Sequence, residues 1–268
     1  MSNKPYKGFE PNWLLTPAPE NSYRSIFRWG DPNFFKYPKE SLYTLMKEKF
    51  QMTDDDFKAY SDDTGFDPVE LPDHPVQLAP EHIDALKAIV GEQNLSTTDY
   101  DRLSVAYGAT AYDLLRLRHK RIDSVPDVVL YPETSEQVEQ IVAYSTEHHI
   151  PLYVYGGGSS VTRGVEPTKG GISLDMRRNF NKVISFNEID QTITVQAGMS
   201  GPDLEKTLQN APELFGAKRQ YTCGHFPQSF EYSSVGGWTV TRGAGQNSTY
   251  YGTIADIVLS QKYATPIG

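Results

Sequence analysis

The stretch Val154-Tyr155-Gly156-Gly157-Gly158-Ser159-Ser160-Val161 constrains this chain more than any other. Pro151 to Tyr155, just before the glycines, form a short apolar run with the length of a buried strand. Three consecutive glycines strip every Cβ from the turn, so its backbone is free to take positive φ and to approach a ligand closely. Consecutive N–H groups beside two hydroxyls make a concave donor surface suited to a phosphate or diphosphate. A plain tight turn after a strand uses the same residues, so the choice between the two depends on the rest of the chain.

Composition narrows the field. At 268 residues the chain is long enough for one large or two modest domains with a sizeable core. A formal net charge of -9 argues against a general nucleic-acid surface, which needs a basic patch. The single cysteine, Cys223, excludes a disulfide framework and fits a reducing, cytoplasmic setting. The opening MSNKPYKGFEPNWLL has no long apolar core and does not read as a signal peptide. No stretch approaches the roughly 20 apolar residues of a membrane helix, so the expectation is a soluble globular chain.

Up to about residue 122 the pattern is mostly helical. The proline-rich first 20 residues read as an extended arm. Tyr23 to Gly30 carry Phe27, Trp29 and two arginines, as a surface anchor or a docking segment. Pro38 to Phe50 are expected as a helix with Leu42, Leu45, Met46 and Phe50 on one stripe. Asp54-Asp55-Asp56 lack the alternating spacing and glycine of a calcium loop and read as a solvated helix start. Ala79 to Gly91 form a helix with Pro80 in its first turn and Gly91 as its stop. Ser96 to Asp99 open another with capping-box spacing, and Tyr112 to Arg118 a third.

From about residue 123 the chain becomes α+β. Asp127 to Pro132 read as a strand ended by proline. Thr134-Ser135-Glu136-Gln137 are a capping box for a helix running to His149, with Val138, Ile141, Val142 and Ser145 on its inner face. With Leu152 to Tyr155 this makes a βαβ unit. Gly171 to Asp175 are a further strand. Lys182 to Phe186 and Thr192 to Gly198 pair as a hairpin, and Ser200 caps a helix bearing Leu204, Leu208 and Ala211. Ser233 to Val240 and Asp256 to Ala264 flank a loop from Arg242 to Tyr251.

Several chemistries are excluded. The glycine turn is not a GxGxxG opening a helix, because Val161-Thr162-Arg163-Gly164-Val165-Glu166-Pro167 is a weak helix former, and no lysine stands in P-loop register. None of the six histidines has HExxH spacing, and one cysteine makes no zinc set, so no metal site is expected. His148-His149 read as a helix end. There is no GxSxG elbow. Cys223, beside Gly224-His225, is a reactive thiol, a cofactor attachment point or a small buried side chain. Two further small-residue clusters remain, Ser229 to Gly237 and Thr241 to Gly245. Each is expected next to a strand. Together with the glycine turn they either converge on one polyanionic ligand or are separate turns.

At the level of whole runs, PDVVLYPETSEQVEQIVAYSTEHHIPLYVYGGGSSV, ISLDMRRNFNKV and CGHFPQSFEYSSVGGWTVTRGAGQNSTYYGTIADIV resemble the FAD-binding (PCMH-type) domain of the vanillyl-alcohol-oxidase superfamily. Within it the chain looks most like the alkyldihydroxyacetonephosphate synthases and bacterial FAD-linked oxidases. SIFRWGDP and LSTTDYDRLSVAYGATAYDLLRLRHKRIDSVPD extend the likeness back to about residue 21. The resemblance implies a helical region over 1–122 followed by a two-subdomain FAD-binding α+β domain over 123–268. It implies that Val154, Tyr155, Gly156, Gly157, Gly158, Ser159 and Ser160 wrap the FAD diphosphate. Gln228, Ser229, Phe230, Glu231, Tyr232, Ser233, Ser234, Thr241, Arg242, Gly243 and Ala244 would line the flavin and ribityl side, with Gly236 and Gly237 giving close approach and Arg242 contacting phosphate or flavin. Gln228 stands where the family usually has aspartate. Ser159 and Ser160 stand where some relatives carry the histidine that tethers flavin, so FAD is expected to be non-covalent.

The family's substrate-binding cap, with its catalytic side chains, would lie beyond Gly268, so no catalytic residue is expected in this chain. The first functional expectation is the FAD-binding part of an alkyldihydroxyacetonephosphate-synthase-like enzyme, with ether-lipid chemistry at the flavin N5. The second is a D-2-hydroxyacid dehydrogenase of the lactate or glycolate type, and the third an inert, truncated flavin-binding fragment. The partners implied are FAD and a small-molecule or lipid-like substrate, with pairing into a homodimer through apolar surface and no nucleic acid.

Overall fold

The computed structural model describes residues 17–26, 29, 40–58 and 65–268. Most of the expected N-terminal arm, with Phe27, Arg28, Gly30, Pro38 and Lys39, lies outside them. In chain order the helices are α1 (Glu40–Phe50), α2 (Asp54–Lys58), α3 (Pro80–Val90), α4 (Asp99–Ser104), α5 (Ala111–Arg118) and α6 (Ser135–Glu147). After them come α7 (Gly201–Gln209), α8 (Ala211–Phe215), α9 (Val235–Thr241), α10 (Ser248–Tyr251) and α11 (Ile254–Ile257). The strands are β1 (Leu95–Ser96), β2 (Val128–Leu130), β3 (Leu152–Tyr155), β4 (Ile172–Asp175), β5 (Val183–Asn187) and β6 (Thr192–Val195).

Sequence character changes near residue 122, but compactness divides the chain otherwise. One unit takes the described residues up to Glu70 together with Ala111–Ile122, and the other takes Leu71–Thr110 with Asp123–Gly268. The helices α3 and α4 therefore belong with the α+β part. In the first unit, Tyr23 and Ile26 are buried, and the Tyr23 hydroxyl donates to the Glu70 carbonyl at 2.9 Å. A buried ion pair joins Asp113 and Arg116 on α5. The expected stripe on α1 does not become core. Leu42 and Leu45 stay 46% exposed and no residue of α1 is buried. Polar contacts hold α1 to α2 instead, from Tyr43 and from Lys47, at 2.8 Å, to Asp54.

The second unit is organised by a four-stranded sheet in the order β1-β2-β4-β3. β2 and β3 each pair in parallel with β4, and β1 is antiparallel to β2. The expected strand–helix–strand unit is present as β2, α6 and β3, with β4 inserted between its strands. Alternation along the strands sorts side chains to two faces. Val128, Leu130, Ile172 and Leu174 meet Leu86 and Val90 of α3 and Ile141 of α6. Val129, Tyr131 and Tyr155 face the other way, against Val105. Each fully buried aliphatic side chain here contributes about 1.5–3 kcal/mol relative to exposure. Three of the expected helix signals fall where the sequence places them, but α4 is capped by Thr98, whose hydroxyl accepts the Asp101 N–H at 3.2 Å, and not by Ser96. The Thr134 hydroxyl accepts from the Gln137 N–H at 3.2 Å, the Ser200 hydroxyl from the Asp203 N–H at 3.1 Å, and Gly91 ends α3 at φ +88°.

β5 and β6 form the expected hairpin, with a register irregularity between Val183 and Ser185. It packs with α7, α9 and α11 through Met199, Leu204, Leu208, Trp238 and Ile254. Of the segments flanking the Arg242 loop, Ser233 to Val240 is mostly the helix α9, while in Asp256 to Ala264 only Asp256 and Ile257 are helical, as the end of α11, and residues 258–264 have no regular structure. α9 starts because the Ser234 hydroxyl accepts from the Gly237 N–H at 3.3 Å, and α11 because Thr253 and Asp256 form a capping box. The second and third small-residue clusters therefore flank a helix, and the expectation that each lies next to a strand is corrected.

One buried carboxylate closes the sheet. Asp127, just before β2, accepts the Gly171 N–H at 2.6 Å ahead of β4 and the Gln77 N–H at 2.6 Å ahead of α3. Asp127→Ala leaves both donors without this acceptor, and we expect a loss of about 3 kcal/mol in urea unfolding.

Candidate cofactor-binding site

β3 delivers the chain to Gly156 at the C-terminal end of a parallel strand, where no helix follows. The turn is held from two sides. Below it, Tyr155 is 1% exposed, and a Cβ on Gly158, which sits at φ +70°, would strike the Tyr155 hydroxyl. At its end, the Ser160 carbonyl accepts the Ala109 N–H at 2.8 Å, and Gly108 lies so close to that carbonyl that a Cβ would overlap it.

The glycines also serve a purpose that the sequence does not announce. A Cβ on Gly157 would fall on the Tyr232 carbonyl, and one on Gly156 on the Ser234 hydroxyl. The first and second clusters are thus in backbone contact, and at these two positions the missing side chains make room for the neighbouring loop. The second loop is itself fixed. The Ser233 hydroxyl accepts the Trp238 Nε1–H at 2.6 Å and donates to the Ser229 carbonyl at 2.8 Å, while Phe230 stacks on Trp238 at 6.1 Å. Gly236 packs on Ala197. Gln228 and Glu231 are exposed.

This arrangement leaves a row of donors. The backbone N–H groups of Gly156, Gly157, Gly158, Ser159 and Ser160 find no acceptor among the described residues, and Ser159 keeps its hydroxyl unbonded. Adjacent unpaired amides in a part-buried turn are what a diphosphate needs, so the residues present fit an anionic cofactor.

The third cluster does not join this point. It lies at the other end of α9, roughly 10 Å along the axis for seven residues. There the Thr241 hydroxyl donates to the Gly237 carbonyl at 2.7 Å, and Arg242 caps the helix at φ 54°. Arg242 lines an open cavity of about 430 Å³ with Thr239, Val240, Ala255, Gln261 and Tyr263. Gly243 adjoins the His225 ring, and Ala244 follows it. Two clusters meet and the third stands apart, as contacts to an elongated ligand would.

Sequence reasoning passed over three groups. Gly108 and Ala109 sit in the helical preface and carry no motif. Arg177, which stacks on Tyr155, is one of two adjacent arginines after β4. His225 is fully buried, lies 4.9 Å from Trp238 edge to face, and neither ring nitrogen has a partner. Burial pushes its pKa down, so the ring is held neutral. The only signal for it was its place in Cys223-Gly224-His225. Burial pushes the Cys223 thiol pKa up, which disfavours the thiolate that a reactive cysteine needs. Among the described residues no three metal-ligating side chains come together, and no helix is long and apolar enough to cross a membrane.

Two outcomes follow from this geometry. Gly157→Ala must part the two loops and is expected to cost about 1–3 kcal/mol in urea unfolding, whereas Gly164→Ala, at a glycine with nothing within 4 Å of its would-be Cβ, should be close to neutral. A buried neutral histidine also makes the unfolded chain the better proton acceptor. Its stability contribution is full above the unfolded pKa of about 6.5 and is lost as pH falls below it. Melting temperatures between pH 7.5 and 5.5 should therefore fall less steeply for His225→Asn than for the wild type.

Comparison with known proteins places this geometry. A family model described as FAD binding domain matches residues 126–268. Alkyldihydroxyacetonephosphate synthase of Dictyostelium discoideum is 31% identical over 242 residues, covering 88% of this chain and 38% of that protein. The Trypanosoma brucei brucei enzyme of the same name is 31% identical over 191 residues, 69% of this chain and 30% of that protein. A solved alkyldihydroxyacetonephosphate synthase superposes with a TM-score of 0.68 at 32% identity, over 75% of this chain and 35% of that one. The mitochondrial D-lactate dehydrogenase [cytochrome] 1 of Saccharomyces cerevisiae stands further off, at 26% over 188 residues. The chain spans between 30% and 38% of the length of the Dictyostelium discoideum and Trypanosoma brucei brucei relatives. The match over residues 126–268, carried by the same α+β fold, shows that the chain belongs to the FAD binding domain family and has FAD as its cofactor.

Proposed function

We propose that this chain is the FAD-holding part of an alkyldihydroxyacetonephosphate-synthase-like flavoenzyme. The observation that carries the reading is the run of five unpaired amides from Gly156 to Ser160, set against the Tyr232–Ser234 loop. These amides bind the diphosphate, and Tyr155 and Ala109 keep them aimed. α9 spans the distance to the third cluster, where Arg242 offers a cation to a second polar part of the cofactor. Bound there, FAD supplies an electrophilic, redox-active ring. His225, neutral and buried beside Gly243, offers one ring N–H donor and one ring nitrogen acceptor, neither of them bonded within the described residues. Binding is non-covalent, because the turn presents serine hydroxyls at 159 and 160.

The reading extends to a lipid-like substrate, in keeping with the similarity to alkyldihydroxyacetonephosphate synthases. A D-2-hydroxy acid is the second reading, favoured by 30% identity over 192 residues to the Arabidopsis thaliana mitochondrial D-lactate dehydrogenase [cytochrome]. A homodimer and a cytoplasmic setting complete the proposal. Exposed Leu259, outside the cavity that Arg242 lines, supplies apolar surface for pairing, and the lone part-buried Cys223 suits a reducing compartment.

Purified chain is expected to show absorbance bands near roughly 370 and 450 nm, the usual flavin positions, and to release all of its flavin on acid precipitation. A folded protein that stays colourless when mixed with FAD would overturn the reading. Flavin that stays in the acid pellet would overturn the non-covalent part alone.

A further inference from the structure

The glycine turn rests on an aromatic ring, and that ring is clamped by a cation. Asp175 ends β4 directly opposite Tyr155 at the end of β3, and the Met176 N–H donates to the Tyr155 carbonyl at 3.0 Å. Asp175 is 3% exposed and accepts from Arg177 through both oxygens: from the backbone N–H and Nε at 2.9 Å on Oδ1, and from Nη2 at 2.5 Å on Oδ2. This fork fixes the plane of the guanidinium, which stands 4.6 Å from the Tyr155 ring centroid, within cation–π range. The Tyr155 hydroxyl in turn lies where a Gly158 Cβ would be. A continuous line of contacts therefore runs from Asp175 through Arg177 and Tyr155 to the middle of the unpaired amides.

We propose that Arg177 is a positioning residue for the cofactor, holding the Gly156–Ser160 amides in their binding orientation through the Tyr155 ring. The inference rests on the reading that these amides hold the FAD diphosphate. Burial alone would lower the Arg177 pKa, but hydrogen bonding to Asp175 and its charge raise it overall, so the clamp keeps its charge at every working pH. The neighbouring Arg178 supplies a built-in comparison. It lies 4.7 Å from the Tyr131 ring, which shares a buried cluster with Tyr155 but is not among the atoms nearest a Cβ at Gly156, Gly157 or Gly158.

The test is FAD affinity by quenching of flavin fluorescence in the full chain. Asp175→Asn with Arg177→Gln removes the clamp without leaving a buried charge unpaired. FAD should bind about tenfold more weakly to this double variant and two- to threefold more weakly to Arg177→Lys, which keeps the ion pair but loses the flat guanidinium. Arg178→Gln and Arg178→Lys should bind as the wild type does. Melting temperatures of the variants should not follow the same order as their affinities. Wild-type affinity in the double variant, or an equal loss in the Arg178 variants, overturns the inference. If the double variant does not fold, Arg177→Lys against Arg178→Lys carries the test: weaker binding in the first alone supports the clamp, and equal binding overturns it. Wild-type chain that takes up no FAD overturns the reading of the turn itself, a result distinct from variants that bind as well as the wild type.

Discussion

Gly157 has no side chain because the Tyr232 carbonyl lies where one would be. That close approach of two backbones, separated by about 75 residues of sequence, ties the parallel sheet to the part of the chain built on the β5–β6 hairpin. On one side of the contact stands β3, paired in register with β4. On the other, Ser233 is bonded to Trp238 and Ser234 caps α9. Loosening either side would move the amide row, because a turn with no internal hydrogen bonds takes its shape from what surrounds it.

The surrounding groups are polar as well as apolar. Asp127 joins the entrances of β4 and α3, and Arg102, 2% exposed, donates to the Pro126 and His74 carbonyls at 2.8 Å. These groups are removed from water and matched with acceptors or donors, as buried polar groups must be. His225 departs from that rule, and it does so beside Gly243, at the end of α9 away from the glycine turn. Among the described residues, hydrogen-bonding capacity is left unused by the donor row at one end of α9 and the imidazole at the other, and also by the buried hydroxyls of Ser124 and Ser173.

Much of this was legible in the sequence where a local rule governs. The strands of the β2–α6–β3 unit follow from short apolar runs, and the caps at Thr134, Ser200 and Gly91 from side chains whose geometry is set within four residues. The glycine turn stood out because three consecutive residues without Cβ follow a strand and lead into a weak helix former. What escaped depends on distance in the chain. Gly108 is an unremarkable glycine until Ser160 is brought against it, and Arg177 an ordinary surface arginine until Tyr155 lies beneath it. α9 was hidden by its own composition: Gly236 and Gly237 are poor helix formers, and Ser234 together with the packing of Trp238 overrides them. The α1 stripe shows the reverse, a helical period that no core takes up.

The Tyr107 hydroxyl accepts the N–H groups of Asp123 and Ser124, at 2.9 and 3.3 Å. Two residues further on, Ala109 is bonded to Ser160. The chain therefore departs at Thr110 and returns at Asp123 across a single phenol, and residues 111–122 form an excursion whose ends are pinned together. The excursion carries packing of its own: α5 lies within it, with Asp113, Arg116 and Leu117 buried, and Lys120 pairs with Asp67. A chain pinned at both ends separates two sets of contacts, so α5 answers to its own buried partners while Ala109 keeps its bond to Ser160.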